Sequence, residues 1–158
     1  DSPALHSSPA GRTYRPAGEP WFGFPAVRNL VGLPPDILMI SLAGHTHGHA
    51  GVAIAEGNGF LLHAGDAYFD AEEMNIHRPR CTPGKRAYQA MMEVDRAARL
   101  LNQERLRQLR KTQGGLVRII CSHDPAELAA AQMRKAAVID QTTVESLADR
   151  RQSAQGGR

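Results

Sequence analysis

Leu42-Ala43-Gly44-His45-Thr46-His47-Gly48-His49-Ala50 holds three of the chain's seven histidines within five residues, set among glycines. Apolar runs flank it, Ile37–Leu42 before and Val52–Ala55 after. Imidazoles crowded beside glycine, between two strand-like runs, read as a metal-binding loop rather than a core segment. The alternative for His45 alone is a loop histidine hydrogen-bonded to backbone.

Working outward, Ile37–Leu42 is a nearly continuous apolar run, the pattern of a buried strand. Gly51-Val52-Ala53-Ile54-Ala55 is a second strand, Glu56-Gly57-Asn58-Gly59 a hairpin turn and Phe60-Leu61-Leu62-His63-Ala64 the returning strand. That strand stops at Gly65-Asp66-Ala67, where Gly-Asp is by itself mainly a turn signal. Thr82-Pro83 reads as an N-cap with proline at the first helical position, opening one long helix from Pro83 to Lys111. Its expected buried stripe is Ala87, Met91, Val94, Ala98 and Leu101, extended by Leu106 and Leu109. Gln113-Gly114-Gly115 ends it. Leu116–Cys121 is a further strand, leading into Ser122-His123-Asp124. There Asp124-Pro125-Ala126-Glu127 has the pattern of a capping box. His123 thus falls at the carboxyl end of a strand and just before a helix, a frequent place for site residues in α/β folds.

Upstream, Leu33-Pro34-Pro35-Asp36 is a turn. Trp21-Phe22-Gly23-Phe24 is the densest aromatic patch and reads as a packing element. Residues 1–20 are rich in Ser, Pro, Gly and Ala and read as an extended or mobile arm. A short helix is expected at Thr143–Arg151 and disorder from Gln152 to Arg158. The organisation expected is therefore arm (1–20), domain (21–134), and a helical then disordered tail (135–158).

The 158 residues are enough for one domain, with 42% apolar and 22% charged side chains, ordinary for a globular chain. No window supplies a membrane span and no n- and h-region makes a secretory signal. Two widely separated cysteines, Cys81 and Cys121, make no disulfide framework and fit reduced thiols, hence a cytoplasmic setting. The net charge of +3 admits nucleic acid. But the basic residues alternate with Glu93, Asp95 and Glu104 along the helix, as on a solvated face, and aromatics are only 5%, too thin for base stacking.

Every polar candidate lies just beyond a strand, and imidazole with carboxylate is the ligand set of Zn, Fe or Mn. Three pieces, Gly44-His45-Thr46-His47-Gly48-His49, Leu62-His63-Ala64-Gly65-Asp66-Ala67 and Ile120-Cys121-Ser122-His123-Asp124, resemble in order and spacing the C-terminal part of the metallo-β-lactamase-fold hydrolases. The branch containing glyoxalase II and the quorum-quenching lactonases is the nearest in pattern. The resemblance runs from about Tyr14 to Leu128. It implies an αββα sandwich, of which this chain supplies the C-terminal half with a flanking arm. It implies one or two zinc ions, or Fe or Mn, with a metal-bound hydroxide attacking an ester, lactone, thioester or amide carbonyl of a small-molecule substrate. His45 would ligate the first metal, Asp66 would bridge both, and His123 would ligate the second. His49 and Asp124 would support from behind the ligands; Tyr68, at a different offset from the lactonase tyrosine, is a candidate for reaching a substrate carbonyl. His47 stands at a variable position and reads as exposed, as do His77 and His6, whereas His63 is expected in or beside the sheet.

The family's earlier H-x-H-x-D-H motif is absent from this chain. The first residue is Asp1 rather than Met, and the expectation is a truncated piece. It should bind metal weakly, hydrolyse little, and expose an apolar sheet face that associates with a missing half, a partner or a second copy. Two rivals remain at this point, a non-catalytic remnant and a nucleic-acid-processing member of the same fold.

Overall fold

The structure, a computed structural model, describes residues 13–15, 18–27 and 30–134. The expected helix at Thr143–Arg151 and the disordered end lie outside the described residues, as do most of the expected arm and the tail.

The strands are β1 (Pro20–Trp21), β2 (Phe24–Val27), β3 (Ile37–Ser41), β4 (Ala50–Glu56), β5 (Gly59–His63) and β6 (Val117–Ile120). They form one six-stranded sheet in the order β1-β2-β3-β4-β5-β6. Neighbours from β1 to β5 run antiparallel, and β6 pairs parallel to β5. Between β5 and β6 the chain leaves the sheet through a 3-10 turn (Ala71–Met74) and the helices α1 (Pro83–Met92) and α2 (Arg96–Gln113). A further helix, α3, occupies residues 125–134. The fold is mixed α/β.

This topology assembles the site. β3, β5 and β6 all point the same way, since β3 and β5 are each antiparallel to β4 and β6 follows β5. The histidine loop leaves the carboxyl end of β3, the Gly65-Asp66 loop that of β5, and the Ser122-His123 loop that of β6. Three loops distant in sequence therefore meet on one edge of the sheet.

Alternation along the strands sorts the two faces. Leu38, Ile40, Ala53 and Leu62 are buried and pack with Leu106 and Leu109 of α2, Val117, Tyr68 and Met74 in a single core. The opposite face aligns Ile37 with Ile54, Met39 with Val52, and Ile54 with Leu61. Val52 and Ile54 are exposed, and Ile37, Met39 and Leu61 are only half-buried. An apolar sheet face is thus left uncovered among the described residues.

The single helix expected from Pro83 to Lys111 is instead two. Asp95 is the reason: its carboxylate accepts the Ala98 N–H and starts α2 afresh as its N-cap. At the break, the Val94 and Asp95 N–H groups donate to the Gly44 carbonyl (3.0 and 2.9 Å), and Val94 also reaches that of His45 (3.2 Å). The expected stripe changes with it. Leu106 and Leu109 are buried as expected, whereas Ala87, Met91, Val94 and Leu101 are exposed. In their place the helix pair turns Gln89, Arg99, Asn102 and Gln103 inward. A helical period finds an apolar face but cannot show that a buried carboxylate is waiting to satisfy a polar one.

Other expectations agree with the structure more closely. The hairpin turns at Gly57, which has a positive φ of 59°, and Asp124 caps α3 by accepting the N–H groups of Ala126 and Glu127. Glu127 does not complete the expected capping box; its carboxylate accepts from the Cys121 N–H and the Tyr68 hydroxyl instead.

Candidate metal centre

Asp66 is the hub. Its Oδ2 lies 3.5 Å from His45 Nε2, and its Oδ1 lies 3.1 Å from His123 Nε2. One carboxylate thus presents a separate oxygen to each of two imidazoles. Two donors held at about 2.1 Å from one tetrahedral ion stand about 3.4 Å apart, so both spacings fit pairs that share an ion. The donor chemistry therefore fits the metal that the motifs imply. The set is open, however. Among the described residues no group of three His, Cys, Asp or Glu forms a closed metal cluster; the three candidates meet as two pairs hinged on Asp66. Each position has one imidazole and one carboxylate oxygen, short of the four donors of a closed zinc site.

His49 sets the hub. Its Nδ1 lies 2.8 Å from the Leu42 carbonyl, and its Nε2 accepts the Asp66 N–H at 2.9 Å. A carbonyl can only accept and an amide can only donate, so these partners dictate a neutral ring with its proton on Nδ1. Both nitrogens are used, and His49 braces Asp66 from behind. Gly65 makes the approach possible. It sits at φ 57°, and a Cβ there would lie 2.7 Å from His49 Nε2. The Gly65 carbonyl in turn accepts from Ser122 N–H (3.0 Å), joining the second loop to the third.

The histidine loop is pinned on its other side by α2. Gly44 adopts φ 143°, and a Cβ there would lie 2.5 Å from the Arg99 backbone. Asn102 donates to the Ala43 carbonyl at 2.7 Å. Beneath the loops runs a buried polar relay. Glu73 Oε1 accepts the Phe69 and Asp70 N–H groups and the Gln89 amide, and its Oε2 accepts from Gln103. Gln89 also accepts from Arg99, which pairs with Glu93. Burial works against the Glu93 charge, but hydrogen bonds and charge from Arg99 and Arg96 outweigh it and hold its carboxyl below the usual range. These residues carry no motif of their own. The only signal in the sequence was a pattern of polar residues at helical spacing, which also describes a solvated face.

The remaining candidates separate cleanly. Asp124 caps α3 and through Oδ2 accepts the Ala71 N–H at 2.9 Å; the bond from Ala71, then those from Ala126 and Glu127, hold its carboxyl below the usual range. It braces the loops rather than touching His123, whose ring lies against Phe69 (centroids 4.0 Å apart). Phe69 also lies 6.3 Å from the His45 ring, so a buried aromatic backs the site where the sequence offered Tyr68. Tyr68 is not brought to the site. It is fully buried in the core and donates to Glu127 at 2.8 Å; burial first, and the Glu127 charge next, push its phenol far up. His47 and His77 are exposed, and His63 is exposed at the end of β5, accepting from Gly65 N–H. Cys81 and Cys121 are free; burial pushes their thiols up to about 11 and about 12, so neither is an activated nucleophile.

With this geometry in hand, the chain can be set beside known proteins. No protein-family model matches it. It is 33% identical over 110 residues to proteins named probable metallo-hydrolase in Mycobacterium bovis and Mycobacterium tuberculosis. The match covers 70% of this chain and 35% of each relative, so the chain spans about a third of the length of the curated relatives it matches. These likenesses support a metallo-hydrolase family. Among the described residues, no helix is long and apolar enough to cross a membrane.

Proposed function

We propose that this chain carries part of the metal centre of a metal-dependent hydrolase of the metallo-β-lactamase fold, acting on the carbonyl of a small ester, lactone, thioester or amide. The observation that carries it is the split approach to Asp66, Oδ2 towards His45 and Oδ1 towards His123. It is the arrangement a carboxylate needs to bridge two ion positions. His45 would hold one ion and His123 the other, with zinc favoured by the imidazole donors and Fe or Mn also compatible. When bound, the ions would lower the pKa of a coordinated water and polarise the carbonyl. The chain's own residues do the rest. His49 holds the Asp66 backbone amide, Phe69 packs against one side of the His123 ring, and Glu73 holds the Phe69 and Asp70 amides in place. The printed names of the mycobacterial relatives support the same class of chemistry.

Because each position has two donors here, we infer that the 158-residue chain binds metal weakly and hydrolyses little by itself. Its open apolar sheet face would associate with a further segment, a partner or a second copy. We infer a cytoplasmic setting, a reading that two unpaired thiols support.

Zinc titration followed by calorimetry, together with elemental analysis, tests this. The expectation is weak zinc uptake that Asp66→Ala abolishes and that His45→Ala and His123→Ala each reduce. Uptake unaffected by Asp66→Ala would remove the reading. A metal-free remnant, in which Asp66 serves only as an ion-pair hub, is the second reading; the missing third donor at each position favours it. It predicts no zinc at all, with the folded state weakened by Asp66→Ala.

A further inference from the structure

Strand β6 ends the sheet, and its outer edge is bare. On its inner side the Phe60 and Ala64 amides donate to the Leu116 and Ile120 carbonyls, both at 2.7 Å. Alternate residues of a parallel ladder bond the same neighbour, so Arg118 also faces β5. Val117 and Ile119 therefore turn their N–H and C=O groups away from the sheet, and nothing among the described residues meets them. Sheets normally blunt or cover such an edge. Here it opens into a cavity of about 610 Å³, lined by β6, the C-terminal part of α2 and α3, a volume within the range of ligand clefts. Three arginines line it: Arg110 of α2, Arg118 of β6 and Arg134 of α3. Arg118 pairs with Glu56 on the open sheet face, but the Arg110 and Arg134 side chains have no hydrogen bond or ion pair among the described residues. Glu127, the carboxylate in the lining, is engaged by the Cys121 N–H and the Tyr68 hydroxyl.

We propose that the β6 edge binds an extended segment of a partner protein by strand addition, a segment in which acidic and apolar side chains alternate. Its backbone pairs with the outward groups of Val117 and Ile119, and its side chains point alternately to the two faces of the sheet. On the helix side, carboxylates meet Arg110 and Arg134. On the other side, apolar residues continue the uncovered face beyond Leu61, which stands beside Arg118 in the register. A second copy of this chain is the poorer occupant, because pairing β6 with β6 brings the arginines of both copies together. The cavity includes none of His45, Asp66 and His123, so the proposal stands independently of the hydrolase reading.

The test uses the full 158-residue chain and a short fluorescein-labelled peptide that alternates glutamate and valine. Fluorescence anisotropy should show saturable binding of this peptide and none of its lysine–valine counterpart. Methylating the backbone nitrogens of one parity, then of the other, keeps the charge and removes the pairing amides; one of the two forms should lose binding. Hydrogen exchange of the Val117 and Ile119 amides should slow in the complex, while that of Arg118, already bonded to β5, should hold. Arg110→Ala combined with Arg134→Ala should weaken binding about tenfold, the combined effect of two exposed ion pairs. If both methylated forms bind as tightly as the parent, or the Val117 and Ile119 amides stay unprotected, the cavity is only a charged patch and strand addition is overturned. Displacement of the peptide by inorganic phosphate at constant ionic strength would overturn it equally. No binding of the glutamate–valine peptide would leave the arginines as guards of a bare edge and remove the proposal. Protection of Val117 and Ile119 that grows with protein concentration, without peptide, would assign the edge to a second copy and overturn the acidic partner.

Discussion

The two ends of α2 do opposite jobs. Towards its C-terminus, Leu106 and Leu109 meet Leu38, Ile40 and Leu62 in a dry apolar core. Towards its N-terminus, Arg99, Asn102 and Gln103 are also buried, but they are held by hydrogen bonds: Asn102 and Gln103 donate to the Ala43 and Ala67 carbonyls of the loops that carry His45 and Asp66, and Arg99 and Gln103 to the Gln89 and Glu73 side chains. Apolar packing is non-directional and tolerates small shifts. Hydrogen bonds to named carbonyls and carboxylates fix distances and angles. The molecule is held together at one end of the helix and held in register at the other. A polar centre whose histidines must be positioned to within about 0.5 Å relative to an aspartate needs the second kind of support.

The contrast breaks most visibly at Glu73. Replacing it by Ala leaves the Phe69 and Asp70 amides and the Gln89 and Gln103 side chains without their acceptor. The expected cost is about 3 to 5 kcal/mol, since each buried donor left without its acceptor costs on the order of 1 to 3 kcal/mol, read as a lower urea midpoint. If Glu73→Ala behaves like a surface substitution, the polar end is not structural.

Leu106→Ala is the matched change at the apolar end. Leu106 is fully buried, so a loss of about 3 kcal/mol is expected from transfer and cavity together. Zinc affinity per folded molecule should stay as it was, because no hydrogen bond to the loops is touched. A parallel loss of zinc affinity, measured by calorimetry well below the unfolding transition, would show that the two ends are not separable.

How far this division could be read beforehand follows from its physics. The strands β3 to β6 and both glycine-marked loops were legible, since apolar runs broken by Gly-His and Gly-Asp are local signals. So was the cap at Asp124, which depends on three neighbouring residues. The break at Val94 was not. Beside the Asp95 cap, it is held by the Gly44 carbonyl, fifty residues away, which accepts two amides there, and no window along the helix contains that bond. The inward turn of Gln89, Arg99 and Gln103 was hidden for the same reason, since their acceptors belong to other segments. His45, Asp66 and His123 were legible as candidates because they follow strands; Phe69, which backs them, was overshadowed by its neighbour Tyr68, the more chemical of the two side chains.

His49→Ala sharpens the comparison on the site side. The variant loses the ring that links the Leu42 carbonyl to the Asp66 amide, yet removes no proposed ligand. Zinc affinity should fall about 10- to 100-fold, the usual effect of losing a group that orients a ligand, with a smaller loss of stability. His47→Ala, one turn of loop away and exposed, should change neither. Equal effects from the two would mean that His49 does not brace the hub.

The smallest expected effect lies at Asp124, which ties α3 to the loop after Asp66. Its carboxyl is held below its ordinary value by the Ala71, Ala126 and Glu127 amides, so the folded state binds this proton less readily than the unfolded one. The stability it contributes is therefore fully present above the unfolded carboxylate range near pH 4, and is lost as pH falls through the lower folded value. Asp124→Asn should cost about 1 kcal/mol at pH 7, as for a weakened helix cap. The gap between wild type and variant should narrow on acidification below pH 4, when measured by denaturant unfolding across that range. A gap that holds constant from pH 7 to pH 2 would mean that the neutral acid serves the Ala71 amide as well as the carboxylate does, and that position rather than charge is what Asp124 gives the loop.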